Sequence, residues 1–141
     1  MPISLKVLTA AAFAPYGDLI AHDGELEADF QVIVDEPDAP GWRIAVNRVT
    51  AAPIVSLGRH PNTRESFEPL SGTVVLVVAG LDEPDRLEAF VLDQPVCLLV
   101  DVWHATIAIG KPALVKITEN HSVRSEAYAL PGPLHVGLTT G

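Results

Sequence analysis

The sequence predicts an all-β fold, a sandwich or barrel of many short strands. Apolar runs rich in β-branched residues recur at roughly 8–12-residue spacing, as in all-β domains. Gly, Pro or Asp separates them, and helical periodicity is almost absent from the 141 residues.

The elements follow in order. Thr9–Phe13 reads as a short helix, with Thr9 as N-cap and Pro15 ending the turn. Leu19–His22 and Phe30–Val34 read as edge strands, and Glu36–Gly41 as a loop. Ile44–Val49 mixes apolar and polar positions, the pattern of a half-buried strand. Thr73–Ala79 and Leu87–Leu92 are strands around a Gly80–Asp85 loop, followed by Val96–Val100, Thr106–Ile109 and Ala113–Ile117. Pro84, Pro95 and Pro112 fall between these runs, where a missing N–H does little harm. After Glu126 the chain carries Pro131, Gly132, Pro133 and Gly137, an irregular tail over the barrel or against a partner.

Composition narrows the function. The length suits one domain over residues 1–141 with a self-sufficient core. Hydrophobic residues reach 48%, so burial of surplus apolar surface in a homo-oligomer is expected. Val74–Ala79 and Val96–Val100 are the longest apolar runs, far short of the roughly 20 residues that span a bilayer. Eighteen acidic residues against nine basic ones give a formal charge of −9, which disfavours nucleic acid and anionic membranes as partners. Cys97, the single cysteine, has no internal disulfide partner and sits among Val96, Leu98 and Leu99. It reads as a buried strand residue in a reducing compartment. Thr9 and Pro15 break up the apolar opening that a signal peptide would need, so a cytoplasmic chain is expected.

Chemistry-bearing residues gather in two islands. Gly58–Gly72 carries His60, Arg59, Arg64, Glu65 and Glu68, and Asp101–Ala105 carries Trp103 and His104. Polar groups on the inner face of a barrel must find a ligand, metal or partner. His60 and Glu65 stand five positions apart across a Pro-Asn-Thr turn; with His104 they form a two-histidine, one-carboxylate set. Such a set suits Zn, Mn, Fe or Ni, or metal-free acid–base work. Arg59 and Arg64 offer bidentate grips on a substrate carboxylate. Against this stand plainer readings: a surface histidine beside Pro61, an exposed Arg64–Glu65 ion pair worth about 0–1 kcal/mol, and a core Trp103 with His104 on the opposite strand face.

Leu8-Thr-Ala-Ala-Ala-Phe-Ala-Pro-Tyr-Gly-Asp-Leu-Ile20, Arg59-His-Pro, Phe67, Pro69-Leu70, Leu87-Glu-Ala-Phe90 and Trp103-His104 resemble, in order, elements of the ureidoglycolate lyase family. The resemblance spans most of Leu8–Glu119. It implies a cupin-type double-stranded β-helix, usually dimeric, that converts (S)-ureidoglycolate to glyoxylate and urea in purine and allantoin degradation. His60 and His104 are then proton-transfer or ligand residues, with Glu65 beside them. Arg59, Arg64, Trp103 and Lys116 form the substrate-binding set for a small carboxylate.

The chain also departs from the family pattern. Glu65 replaces a neutral amide, and Gly58 stands where the family often has Glu. Asp101 takes the place of the glycine in Gly-x-Trp-His, and Ala105 and Thr106 replace a His and a Pro. Glu119-Asn120 stands for Asp-Arg, so one arginine is lost. Relative to metal-binding cupins, His60, Glu65, Gly72 and His104 match the second His, the Glu, the Gly and the later His, while the first His is Gly58. If a metal binds, three ligands with open positions would hold it. The alternative readings are a divergent metal-dependent isomerase or dioxygenase and a non-catalytic sensor of small acids.

Overall fold

The computed structural model describes residues 3–23 and 31–136. Thr9 caps the expected helix α1 (Ala10–Phe13) by accepting a hydrogen bond from the Ala12 N–H, and Phe13 buries fully. The rest is strand. In chain order these are β1 (Leu5–Lys6), β2 (Gly17–Leu19), β3 (Arg43–Val49), β4 (Ile54–Arg59), β5 (Glu65–Ser71) and β6 (Val74–Ala79). Then come β7 (Glu88–Val91), β8 (Val96–Leu98), β9 (Trp103–Ala108), β10 (Ala113–Glu119) and β11 (Glu126–Leu134).

The strands form two sheets, one ordered β1-β7-β6-β9-β4-β11 and the other β2-β8-β5-β10-β3. Alternation along β6 explains how the first sheet is covered. Val74, Leu76 and Val78 face the second sheet and join Phe13, Phe67, Phe90 and Val115 in the inter-sheet core. Val75, Val77 and Ala79 face the other way, into a second core with Leu57, Trp103, Ile107 and Leu134. A continuous apolar run is what a strand buried on both faces requires. Each such valine contributes about 1.5–3 kcal/mol by leaving water.

Three local expectations need correction. Gln31–Val34 forms no strand, and Phe30 lies outside the described residues. The strand expected at Leu19–His22 begins earlier, at Gly17, because β2 pairs with β8 only through Gly17–Leu19. The tail is not irregular at its start. Tyr128 and Ala129 lie on β11 against Leu57 and Ser56 of β4, a strand edge needing a partner, and the register shifts only between Ala129 and Leu134. Tyr128 and Leu130 then pack on the second core.

Two turns place the strands that carry the islands. Gly72 has φ 76° between β5 and β6, and a Cβ there would lie 2.7 Å from that of Ala113, so only glycine fits. Asp101, just before β9, is the one described non-glycine residue with positive φ, at 66°. Aspartate tolerates this left-handed region better than most residues.

Candidate active site

Strand register decides which side chains meet. Across the second sheet, Arg43 pairs with Glu119 and Glu119 with Glu65, so three charged residues form one row over β3, β10 and β5. The next row is Ala45, Ile117 and Phe67, and the one after it Asn47, Val115 and Pro69. Phe67 and Val115 belong to the inter-sheet core, so all three rows face inward. In the first sheet His104 pairs with Gly58 of β4 and with core residue Val78 of β6, which turns His104 and Gly58 inward as well.

At the β3–β4 side the inner face is lined by small or polar residues: Ala45, Asn47, Ser56, Gly58 and Thr106. Ala45, Asn47 and Ser56 are exposed although they face inward. A Cβ built on Gly58 meets nothing closer than 3.9 Å. The inter-sheet space is therefore open here, a cleft with the charged row at one end.

At that end His60, Glu65 and His104 converge. Glu65 Oε1 lies 2.8 Å from His104 Nε2 and 3.5 Å from His60 Nε2. The imidazole centroids are 5.1 Å apart, and Phe67 stacks edge-on against His104 at 5.7 Å. Behind the triad Thr63, Leu98, Leu99 and Val102 pack too closely to leave room for a water molecule. Each Nδ1 faces a backbone carbonyl, that of Arg124 at 3.1 Å for His60 and that of Val102 at 3.0 Å for His104. Ser125 Oγ lies 3.0 Å from the same nitrogen of His60. Donation from Nδ1 leaves Nε2 of a neutral ring as the lone-pair atom, aimed at Glu65.

The electrostatics follow from this crowding. Burial alone would raise the Glu65 carboxyl, but His104 and His60 hold it well below the usual carboxylate range. Contact with Glu65 in turn raises the His60 imidazole, against the opposing effect of burial. Burial pushes the Glu119 carboxyl up and the neighbouring Glu65 adds to this, while Arg43 pulls the other way.

The triad fits a divalent cation on three counts. Glu65 Oε1 is buried and no aligned hydrogen bond reaches it. The Nδ1 contacts free both Nε2 atoms for coordination. One donor atom from each residue lies within 4.8 Å of the others. Two nitrogens and an oxygen are a common set for first-row divalent metals.

The four residues expected to bind substrate lie elsewhere. Arg59 pairs with Asp101 and Glu126, and its guanidinium sits 5.4 Å over the Trp103 ring on the second-core face. Trp103 is buried in that core and donates its indole N–H to the Leu81 carbonyl at 3.0 Å. Lys116 is in register with Glu68, 3.6 Å away, on the outer face of the second sheet. Arg64 donates to the Leu98 and Cys97 carbonyls and to Asp18, beside a groove of about 560 Å³ that Trp42, Ser66, Cys97 and Glu119 also line. For Arg59, Trp103 and Lys116 strand alternation is the cause, each pointing away from its inward-facing neighbour, while Arg64 precedes β5. Cys97 is buried, and burial raises its thiol, as the sequence led one to expect of a strand cysteine.

The sequence reading names neither Arg43 nor Glu119 as a site residue, although their register places them in one row with Glu65. A signal for Glu119 was available: Ala113, Val115 and Ile117 alternate inward, and Glu119 continues their period. Arg43 has no such signal until its register with Glu119 is known.

Residues 39–131 match the ureidoglycolate lyase family. The ureidoglycolate lyase of Agrobacterium fabrum is 33% identical, over 72% of this chain and 74% of its own. That of Rhodobacter capsulatus is 29% identical over 95% and 97%. Among solved structures, a dTDP sugar isomerase from Desulfovibrio desulfuricans superposes with a TM-score of 0.53 and 18% identity, over 82% of each chain. This likeness speaks for the fold, and the two facing sheets are those of a cupin-type double-stranded β-helix. The chain belongs to the ureidoglycolate lyase family.

Proposed function

We propose that the chain is a lyase that cleaves ureidoglycolate to glyoxylate and urea at the head of the inter-sheet cleft. The observation that carries this reading is the convergence of His60, Glu65 and His104 there, in a chain of this family. A divalent cation (Zn, Mn, Fe or Ni) held by these three residues would supply Lewis-acid polarisation of the substrate oxygens.

The chain's own groups supply position and proton transfer. Phe67 and the two backbone carbonyls fix the imidazoles, so the triad is set before substrate arrives. Cleavage breaks the C–N bond, forms the glyoxylate carbonyl and moves one proton from the substrate hydroxyl to the departing nitrogen. Glu119 is suited to this exchange. Burial and Glu65 favour its protonated form, and its Oε1 is buried without a hydrogen-bond partner. The acid gives its proton to the urea nitrogen, and the carboxylate so formed takes the hydroxyl proton.

A single domain over residues 1–141 and a homodimer complete the reading. The dimer is supported by exposed apolar residues on and beside the free edge strand β3, namely Trp42, Ile44, Val46 and Leu114. A reducing cytoplasm suits the lone buried Cys97. The test is incubation with racemic ureidoglycolate, with and without added divalent metal, followed by a glyoxylate assay. No turnover above blank in either condition rejects this substrate.

A further inference from the structure

We infer that Arg43 is the residue that grips the substrate carboxylate and sets the enzyme's preference for small acids. This rests on the lyase reading above and names the contact that reading lacks, since Arg59, Arg64 and Lys116 are all engaged away from the cleft.

Four features of the structure support it. Arg43 heads the inward row Arg43–Glu119–Glu65, two strand spacings, about 10 Å, from the strand that carries Glu65. Its side chain is 50% exposed, so solvent and ligand reach it, whereas Glu119 is 6% exposed. Its Nε and Nη2 donate to a single oxygen, Glu119 Oε2, at 3.0 and 2.7 Å. The guanidinium is thus held in place, yet Nη1 has no partner among the described residues.

A guanidinium has five N–H donors, and Glu119 takes two of them. The remaining edge is a planar fork that matches a carboxylate, which a lysine cannot imitate. A small 2-hydroxy acid seated on it would place its second carbon over Glu119 and toward the His60–Glu65–His104 group. Ala45, the neighbour of Arg43 on the inner face, is small and exposed and leaves the approach open. The ligand class is therefore a short carboxylate with its reacting carbon next to the carboxyl carbon.

The test uses Arg43→Gln and Arg43→Lys in the full chain, with thermal melts to verify folding. Arg43→Gln retains a hydrogen-bonding group for Glu119, and Arg43→Lys retains the charge but not the fork. Three quantities are read: KM and kcat for ureidoglycolate, and the Kd of glyoxylate by calorimetry, with its neutral amide as control. Arg43→Gln is expected to raise both KM and the glyoxylate Kd about 10–100-fold and kcat much less. Arg43→Lys should fall between, and the amide should bind equally weakly to all three proteins. Unchanged glyoxylate Kd in either folded variant overturns the proposal, as does equal loss of acid and amide binding. Failure of the wild type to turn over ureidoglycolate strikes the lyase reading instead, and the glyoxylate measurement still reads Arg43 separately.

Discussion

Glu65 Oε1 and His104 Nε2 lie 2.8 Å apart at the head of the cleft, nearly closed to solvent, without an aligned hydrogen bond between them. A buried carboxylate facing two imidazole nitrogens is costly unless a proton or a cation joins them. Glu65→Gln removes the charge and keeps the shape. It is expected to abolish stoichiometric divalent metal binding and lower kcat/KM by about 100-fold or more. Metal analysis of protein purified without a histidine tag, alongside steady-state kinetics, checks both effects.

Gly58 stands inward beside His104 with open space before it. Gly58→His should add a fourth ligand, the third imidazole, and tighten zinc binding about tenfold or more, while narrowing the cleft and reducing turnover. Competition with a chelator of known affinity measures the first effect. Zinc affinity no tighter than wild type would mean that position 58 does not address the triad.

The sequence offers Arg59 as a grip for substrate, and the structure turns it onto Trp103, Asp101 and Glu126. Arg59→Ala is therefore expected to lower the melting temperature and leave KM for ureidoglycolate within about twofold. Its buried Nε, which lacks a partner, makes the packing of this side chain the larger part of its role.

Tyr16 packs against the inter-sheet core and donates to Glu88, which also pairs with Lys6 of β1. Burial first, then the Glu88 contact, pushes the phenol up to about 12 from its ordinary 10. The folded state thus favours the neutral phenol. Its stabilising effect is complete below pH 10 and is lost as pH rises through about 12. Wild type should lose stability across that window more steeply than Tyr16→Phe, as denaturant midpoints at pH 9, 10 and 11 would show.

The fold was largely legible because its signals are local. Val74–Ala79 can only be a strand buried on both faces, and Thr9 with Pro15 brackets a helix of one turn. Within the site, His60, Glu65 and His104 were readable because a barrel brings successive polar islands to one end. The substrate-binding set was not readable in the same way. Whether Arg59, Trp103 or Lys116 faces inward depends on a one-residue choice of strand phase, fixed by pairings such as Gly58 with His104. Arg43 and Glu119 lie far apart in sequence and acquire meaning only through their shared register with Glu65. The β11 strand was hidden by Pro131, Gly132 and Pro133, which interrupt its pairing with β4 between Ala129 and Leu134.

The most direct test is glyoxylate release from ureidoglycolate by the wild type and by His104→Ala, each verified as folded and assayed with and without added divalent metal. Catalysed release by the wild type, reduced by about 100-fold or more in His104→Ala, is the expected result. Equal rates in the two proteins, or no release by the wild type above blank, would contradict a lyase centred on His60, Glu65 and His104.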